Sequence, residues 1–256
     1  MQAPWGPVLR CRALRPFADH FFTTASLTLR DDLEEWTAVA AFADVPVDRL
    51  RLLTQVHGRT IASSPSGAPW MRPEADGVIT DDPSVALVVR VADCAPILLA
   101  DRRLGVAAAV HAGWRSTIQR IVPAAIDALH GSYGTDPSDL VVAVGPSLGV
   151  CCGEMGEEVV EAFRAAGHDA ATLDRWFVRT PGKRPHFDLW RANGEQLEAS
   201  GVPPSAIHVA GLCTRTYAGT FHSYRAAGPA AGRMAAVIRK TGPGSRPTRR
   251  SGLPGR

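Results

Sequence analysis

Two histidines and a cysteine, His57, Cys94 and His111, stand in segments whose residue types suit a metal site. The segments are Thr54-Gln55-Val56-His57-Gly58, Ala92-Asp93-Cys94 and His111-Ala112-Gly113-Trp114-Arg115. They lie too far apart in the chain to be the close ligand pairs of a structural zinc finger. Three protein ligands leave one tetrahedral position open to water or substrate, which is the pattern of a catalytic zinc. The same residues admit a second chemistry. A cysteine thiolate beside a histidine is a nucleophile, and Asp93 or the second histidine could orient the base. Spacing alone leaves both readings open. Gln55 and Asp93 flank two of the candidate ligands, where they either orient a ligand or cap a turn. Arg115 falls at an expected helix start, where backbone N–H groups and a guanidinium together attract phosphate. Further on, Phe221-His222-Ser223-Tyr224-Arg225 combines an aromatic, hydroxyls and a cation, which suits a nucleoside base and sugar.

Strands must deliver the three ligands to one place. The apolar runs 85–91 and 95–100 flank Cys94, and 104–110 leads into His111. Short β-branched runs bounded by Gly and Pro read as buried strands, and two of them side by side would bring Cys94 and His111 to a common rim. Ile118, Ile121, Val122, Ala125, Ile126 and Leu129 recur at helical spacing. Ser116 or Thr117 is the expected cap of that helix and Gly131 its end, and Pro123 is expected to kink or break it. Strands are expected at 139–144 and 206–212. Helices are expected at about 155–166, 188–199 and 229–240. The stretch 63–75, rich in Pro, Ser and Gly, reads as a loop. Alternating strands and helices place the chain in the α/β or α+β class with a substantial sheet.

Bulk composition narrows the function. With 256 residues, 45% of them hydrophobic, the chain can bury a sizeable core. No apolar run reaches the ~18 residues that span a bilayer. The N-terminus lacks a basic start followed by an apolar stretch, so a cytoplasmic location is expected. Five cysteines are an odd number and Cys151 adjoins Cys152, which favours a reducing compartment over a disulfide framework. The net charge of +3 is local, because residues 241–256 hold four arginines and no acid. That Pro/Gly-rich basic tail is expected to be disordered, with a catalytic domain over 1–240. The body is nearly neutral, so no nucleic-acid or membrane partner is expected. There is no G-x-G-x-x-G, Walker A or H-E-x-x-H motif. None of the eight histidines forms a His-x-His pair, so a multicopper oxidase cannot be built from this chain.

The order of motifs carries a resemblance. Thr54-Gln-Val-His-Gly58, Ala75-Asp-Gly-Val-Ile-Thr80, Ala92-Asp-Cys-Ala-Pro-Ile97, His111-Ala-Gly-Trp-Arg115, Gly145-Pro-Ser147, Phe187-Asp-Leu189, Cys213-Thr214, Ser223-Tyr-Arg225 and Gly232-Arg233 resemble the laccase-domain family. Its members are also called polyphenol oxidase or purine nucleoside phosphorylase proteins. The likeness runs from about 50 to 240. It implies an α/β fold of layered sheets and helices, distantly like a deamidating toxin domain with a Cys-His site. It also implies zinc, in some members copper, on His57, Cys94 and His111. The implied activities are phosphorolysis of adenosine, inosine and methylthioadenosine, and deamination of adenosine. On that reading Cys94, His111 and His57 are catalytic, and Arg115, Gln55, Asp93 and Arg225 bind substrate. The partners are then a purine nucleoside and phosphate, with a homodimer left open. A metal-independent cysteine amidase using Cys94 and His111 is the alternative, and a zinc-binding protein with little turnover is a third reading. The chain departs from the family pattern at 23–32, which lacks the usual arginine and glycines. It departs again at Gly153, Ser116 and Ala226, where tyrosine, glycine and a second arginine are common.

Overall fold

The computed structural model describes residues 1–67 and 69–241. Of the expected basic tail only Thr241 falls within them, its hydroxyl donating to the Phe17 carbonyl, and the expectation for the rest lies outside the described residues. Two sheets form the centre. The first orders strands β1 (Ala18–Phe22), β10 (Met234–Lys240), β5 (Ala86–Val91) and β2 (Leu50–Arg51). The second orders β9 (Ile207–Val209), β8 (Leu140–Val144), β6 (Ala95–Asp101), β7 (Ala107–Ala112), β4 (Gly77–Thr80) and β3 (Ile61–Ser63). Both sheets are mixed. β2–β5, β3–β4 and β8–β9 run parallel, and the other neighbours run antiparallel.

Strand alternation explains how four layers share one chain. Leu87 and Val89 of β5 meet Leu98 and Ala100 of β6 and Ala107 and Ala109 of β7 between the sheets. Their neighbours Ala86 and Val88 face the other way, onto Trp36, Val39 and Ala40 of helix α1 (Leu33–Phe42). On the far side, Ile97, Leu99, Ala108 and Val110 pack against helix α3 (Ile121–Tyr133) through Ile121, Val122, Ala125, Ile126 and Leu129. Helices α4 (Glu157–Ala165), α5 (Ala170–Trp176) and α6 (Leu189–Ala199) complete that layer. The result is a mixed α/β layering of helix, sheet, sheet and helices. Buried on both faces, the inner strands read as unbroken apolar runs rather than alternating ones.

The structure corrects four details. The segment expected to be a helix at 229–240 is strand β10, paired with both β1 and β5. Its Met-Ala-Ala-Val-Ile sequence suits a helix locally, and pairing at the centre of a sheet overrides that propensity. Pro123 does not break its helix, because it is the third residue of α3, where an N–H has no intrahelical partner anyway. The break comes earlier: α2 (Trp114–Ile118) is separate, and Arg120 at φ 61° turns the chain into α3. α2 is opened by Gly113 rather than Ser116 or Thr117, and α3 runs past Gly131 to a left-handed cap at Gly134. The neighbour of the His111 strand is the run after Cys94, not the run before it. β5 and β6 belong to different sheets, and Ala92-Asp93-Cys94 carries the chain between them.

Candidate metal centre

The crossover and the strand register together place the ligands. On β6 and β7, Ala95 opposes Ala112 and Pro96 opposes His111, so Cys94 leaves its strand at the height of His111. His57 arrives from the loop between β2 and β3. One candidate ligand atom from each of His57, Cys94 and His111 lies within 4.8 Å of the others. The two imidazoles meet edge to face with centroids 4.8 Å apart. His111 is buried, Cys94 half-buried and His57 exposed, so the triad faces solvent on one side.

Asp76, absent from the residues singled out as ligands or substrate contacts, organises this centre. Fully buried, its carboxylate accepts N–H bonds from His57 (3.0 Å) and Gly58 (2.6 Å), a longer one from Val56 (3.2 Å), and the His111 Nδ1–H at 2.8 Å. The last bond fixes the tautomer and turns His111 Nε2 towards the other two ligands, as carboxylates do behind metal-bound histidines. The first ones hold His57 at φ 59°, a left-handed conformation that costs a non-glycine residue about 1 kcal/mol or more. Burial raises the Asp76 carboxyl, but the bonds from His111, Gly58 and His57 outweigh it and hold it below the ordinary range.

Cys94 and His111 form a coupled pair. Burial raises the Cys94 thiol, yet the charge of His111 and bonds to both histidines bring it below its usual value. Burial lowers His111, yet Cys94 and Asp76 raise it above its usual value. Each group thus stabilises the charged form of the other. Gly113 makes the approach possible, since a Cβ there would sit 2.7 Å from Cys94 Sγ and 3.4 Å from His57 Cδ2.

Gln55 and Asp93 turn out to hold backbone. The Gln55 amide donates to the Arg90 carbonyl and accepts the Arg90 N–H, both at 2.8 Å, which clamps the His57 loop to β5. Asp93, at φ 86°, accepts from the Thr214 hydroxyl and the Arg225 N–H, which fixes the crossover. Both still border a cavity of about 850 Å³ with the triad on its wall. Arg115 and Arg225 line it too, as do Arg30 and Arg90, which no motif marked, and Arg233, which stood in the Gly232-Arg233 motif without an assigned role. Arg30 comes from the atypical 23–32 segment, so that departure still supplies an arginine, anchored on the carbonyls of Pro229, Ala230 and Ala231. Leu148, Met155, Phe187 and Leu189 give the cavity an apolar side. Gly153 also has a local reason, because a Cβ there would collide with the Phe187 carbonyl oxygen.

An α/β layering with a His-Cys-His centre in an arginine-rich cavity defines a class of proteins, and comparison supplies the family. The family model described as multi-copper polyphenol oxidoreductase laccase matches residues 31–241, and the chain belongs to that family. It is 36% identical to a Deinococcus radiodurans protein named purine nucleoside phosphorylase, over 93% of this chain and 94% of that one. It is 37% identical to a protein named adenosine deaminase RL5, from an unknown prokaryotic organism, over 62% of this chain and 59% of that one. The crystal structure of YlmD from Geobacillus stearothermophilus superposes with a TM-score of 0.81 at 27% identity, covering 93% of this chain and 98% of that one.

Proposed function

We propose that this chain is a zinc-dependent enzyme acting on purine nucleosides, by phosphorolysis of adenosine, inosine and methylthioadenosine and by deamination of adenosine. The observation that carries the reading is the His57–Cys94–His111 triad on the wall of a cavity lined by five arginines. The donor set fits zinc: two imidazoles and a thiolate, with His111 Nε2 presented by Asp76 and room secured by Gly113. When bound, the ion supplies Lewis acidity at the cavity wall. The names of the relatives above support the substrate class.

The remaining work falls to side chains. The apolar side takes the purine, and Trp114 and Tyr224 add aromatic surface. The Arg115 guanidinium lies 4.2 Å from the Trp114 ring centroid, so its face is stacked and its edge donors are available to phosphate. α2 has only five residues, so the guanidiniums rather than a helix dipole carry the anion reading. Arg225 borders the same cavity and donates to the Glu154 carbonyl, which steadies it for a substrate hydroxyl or phosphate. In phosphorolysis a phosphate oxygen bonds to the anomeric carbon while the glycosidic electron pair leaves with the purine. The cationic wall offsets the charge of the incoming phosphate. Oxidase chemistry of the laccase kind is not proposed, since the chain has no His-x-His pair.

A second reading has one specific observation behind it. Cys94, His111 and Asp76 are joined in the order of a nucleophile, a base and an orienting carboxylate. A cysteine amidase would use that triad without metal. Assays on the three nucleosides with phosphate, and of ammonia release from adenosine, each with and without a chelator, separate the two. Turnover that the chelator abolishes and zinc restores supports the zinc enzyme. Nucleoside turnover unaffected by the chelator contradicts it.

A further inference from the structure

A second group of soft ligands lies outside the cavity. The 3₁₀ turn Val150–Cys152 sets two cysteines side by side, and Cys213 faces them from a distant segment. The three Sγ atoms all lie within 4.8 Å of one another, and Cys151 and Cys152 are 3.8 Å apart. All three are free thiols. The Thr216 hydroxyl stands 3.5 Å from Cys151 Sγ and 3.6 Å from Cys152 Sγ.

We propose that Cys151, Cys152 and Cys213 form a second metal site, which binds one zinc ion independently of the His57–Cys94–His111 centre. Zinc bonds to thiolate at about 2.3 Å, so sulfurs around a tetrahedral ion stand roughly 3.8 Å apart, the separation already present between Cys151 and Cys152. Both supporting segments are held in place. Ser147 pairs with Cys213 in a parallel bridge, with Ser147 N–H to Leu212 O and Thr214 N–H to Ser147 O. Gly149 lets the segments close, because its Cβ would come within 3.2 Å of Cys213 Cβ. The ligand burial is graded, from exposed Cys151 through half-buried Cys152 to buried Cys213, which gives the ion a route from solvent. Thr216 or water fills the fourth position. The site adjoins the cavity, whose lining includes none of the three cysteines, through Arg225, which donates to the Cys152 carbonyl at 3.3 Å. Soft thiolates of this kind select zinc or copper(I) over magnesium or calcium.

The test is zinc stoichiometry of the full-length chain, stripped with chelator, reduced, and titrated with Zn²⁺. Wild type takes two equivalents, Cys94→Ala takes one and Cys151→Ser/Cys152→Ser takes one. Wild-type stoichiometry in the Cys151→Ser/Cys152→Ser protein overturns the site, as does Cys94→Ala binding none. If the histidine centre alone fails, wild type and Cys94→Ala both take one and the serine pair takes none. A second measurement needs no change at these cysteines. In Cys94→Ala, one equivalent of zinc slows alkylation of Cys151 at least tenfold, and an unchanged rate overturns the proposal.

Discussion

At the scale of single residues, atoms that touch the three candidate ligands decide the chemistry. Asp76 holds both histidines, so Asp76→Asn removes the negative charge behind His111 while nearly keeping its shape. Zinc affinity is expected to fall about 10–100-fold, as is usual for a carboxylate behind a metal-bound histidine, and melting temperature to fall too, because the new NH2 faces N–H donors that the carboxylate accepts. Unchanged affinity would show that the carboxylate only pins the loop. Gly113→Ala puts a methyl 2.7 Å from Cys94 Sγ, so it should cost the centre its stoichiometric metal while circular dichroism stays native. A fully loaded variant would mean the wall yields. Arg115→Ala tests the anion. Its apparent phosphate requirement should rise at least tenfold while metal content holds, and equal phosphate dependence would remove Arg115 from the site. Sequence made the candidate ligands legible because His and Cys at strand ends are unusual. Arg30 and Arg90 were not, and Asp76 and Arg233 stood in motifs without a role, because nothing local separates a buried organising acid or a cavity arginine from a surface charge.

At the scale of elements, buried strands announced themselves through apolar runs at 85–91, 95–100 and 139–144. β10 did not, since its alanines read as helix until β1 and β5 pair with it on either side. The helical layer offers a check on local electrostatics. Glu195 on α6 accepts from Arg175, Arg191 and the Trp176 indole. Burial raises its carboxyl, but those partners outweigh it and bring it down to about 2. A carboxyl lowered in the folded state adds stability at and above its ordinary value of 4.5, and the gain is lost as pH falls towards 2. The site is partly exposed, so Glu195→Gln should cost about 1–2 kcal/mol at pH 7 by urea denaturation. The cost should vanish near pH 2, and a penalty independent of pH would assign it to packing.

At the scale of the whole molecule, which strand joins which sheet was beyond the sequence. The three residues from Ala92 to Cys94 carry the chain from one sheet to the other, and only the pairing of β6 with β7 shows that Cys94 and His111 share a rim. The packed sheets also set a pH limit. His20 is fully buried on β1, with Nε2 accepting the Cys11 N–H and Nδ1 donating to Ala18 O, an arrangement open only to neutral imidazole. Burial lowers it from 6.5, against the bond to Ala18, and burial lowers His168 in the same way. Stability from these two groups is complete above pH 6.5 and is lost as pH falls below it, because the unfolded chain then binds more protons. In metal-free protein, Tm should therefore drop between pH 7 and 5, and less in His20→Gln. An equal drop in that variant would clear His20 of the effect.

Metal and turnover stand or fall together in this protein, and measuring zinc and nucleoside phosphorolysis on the same preparations tests that link. In a background of Cys151→Ser/Cys152→Ser, which isolates the histidine centre, one zinc per chain should accompany full turnover. His57→Ala, Cys94→Ala and His111→Ala should each lose both together. Full activity in a preparation that elemental analysis shows to be free of metal would contradict the account and transfer the chemistry to Cys94 as a nucleophile.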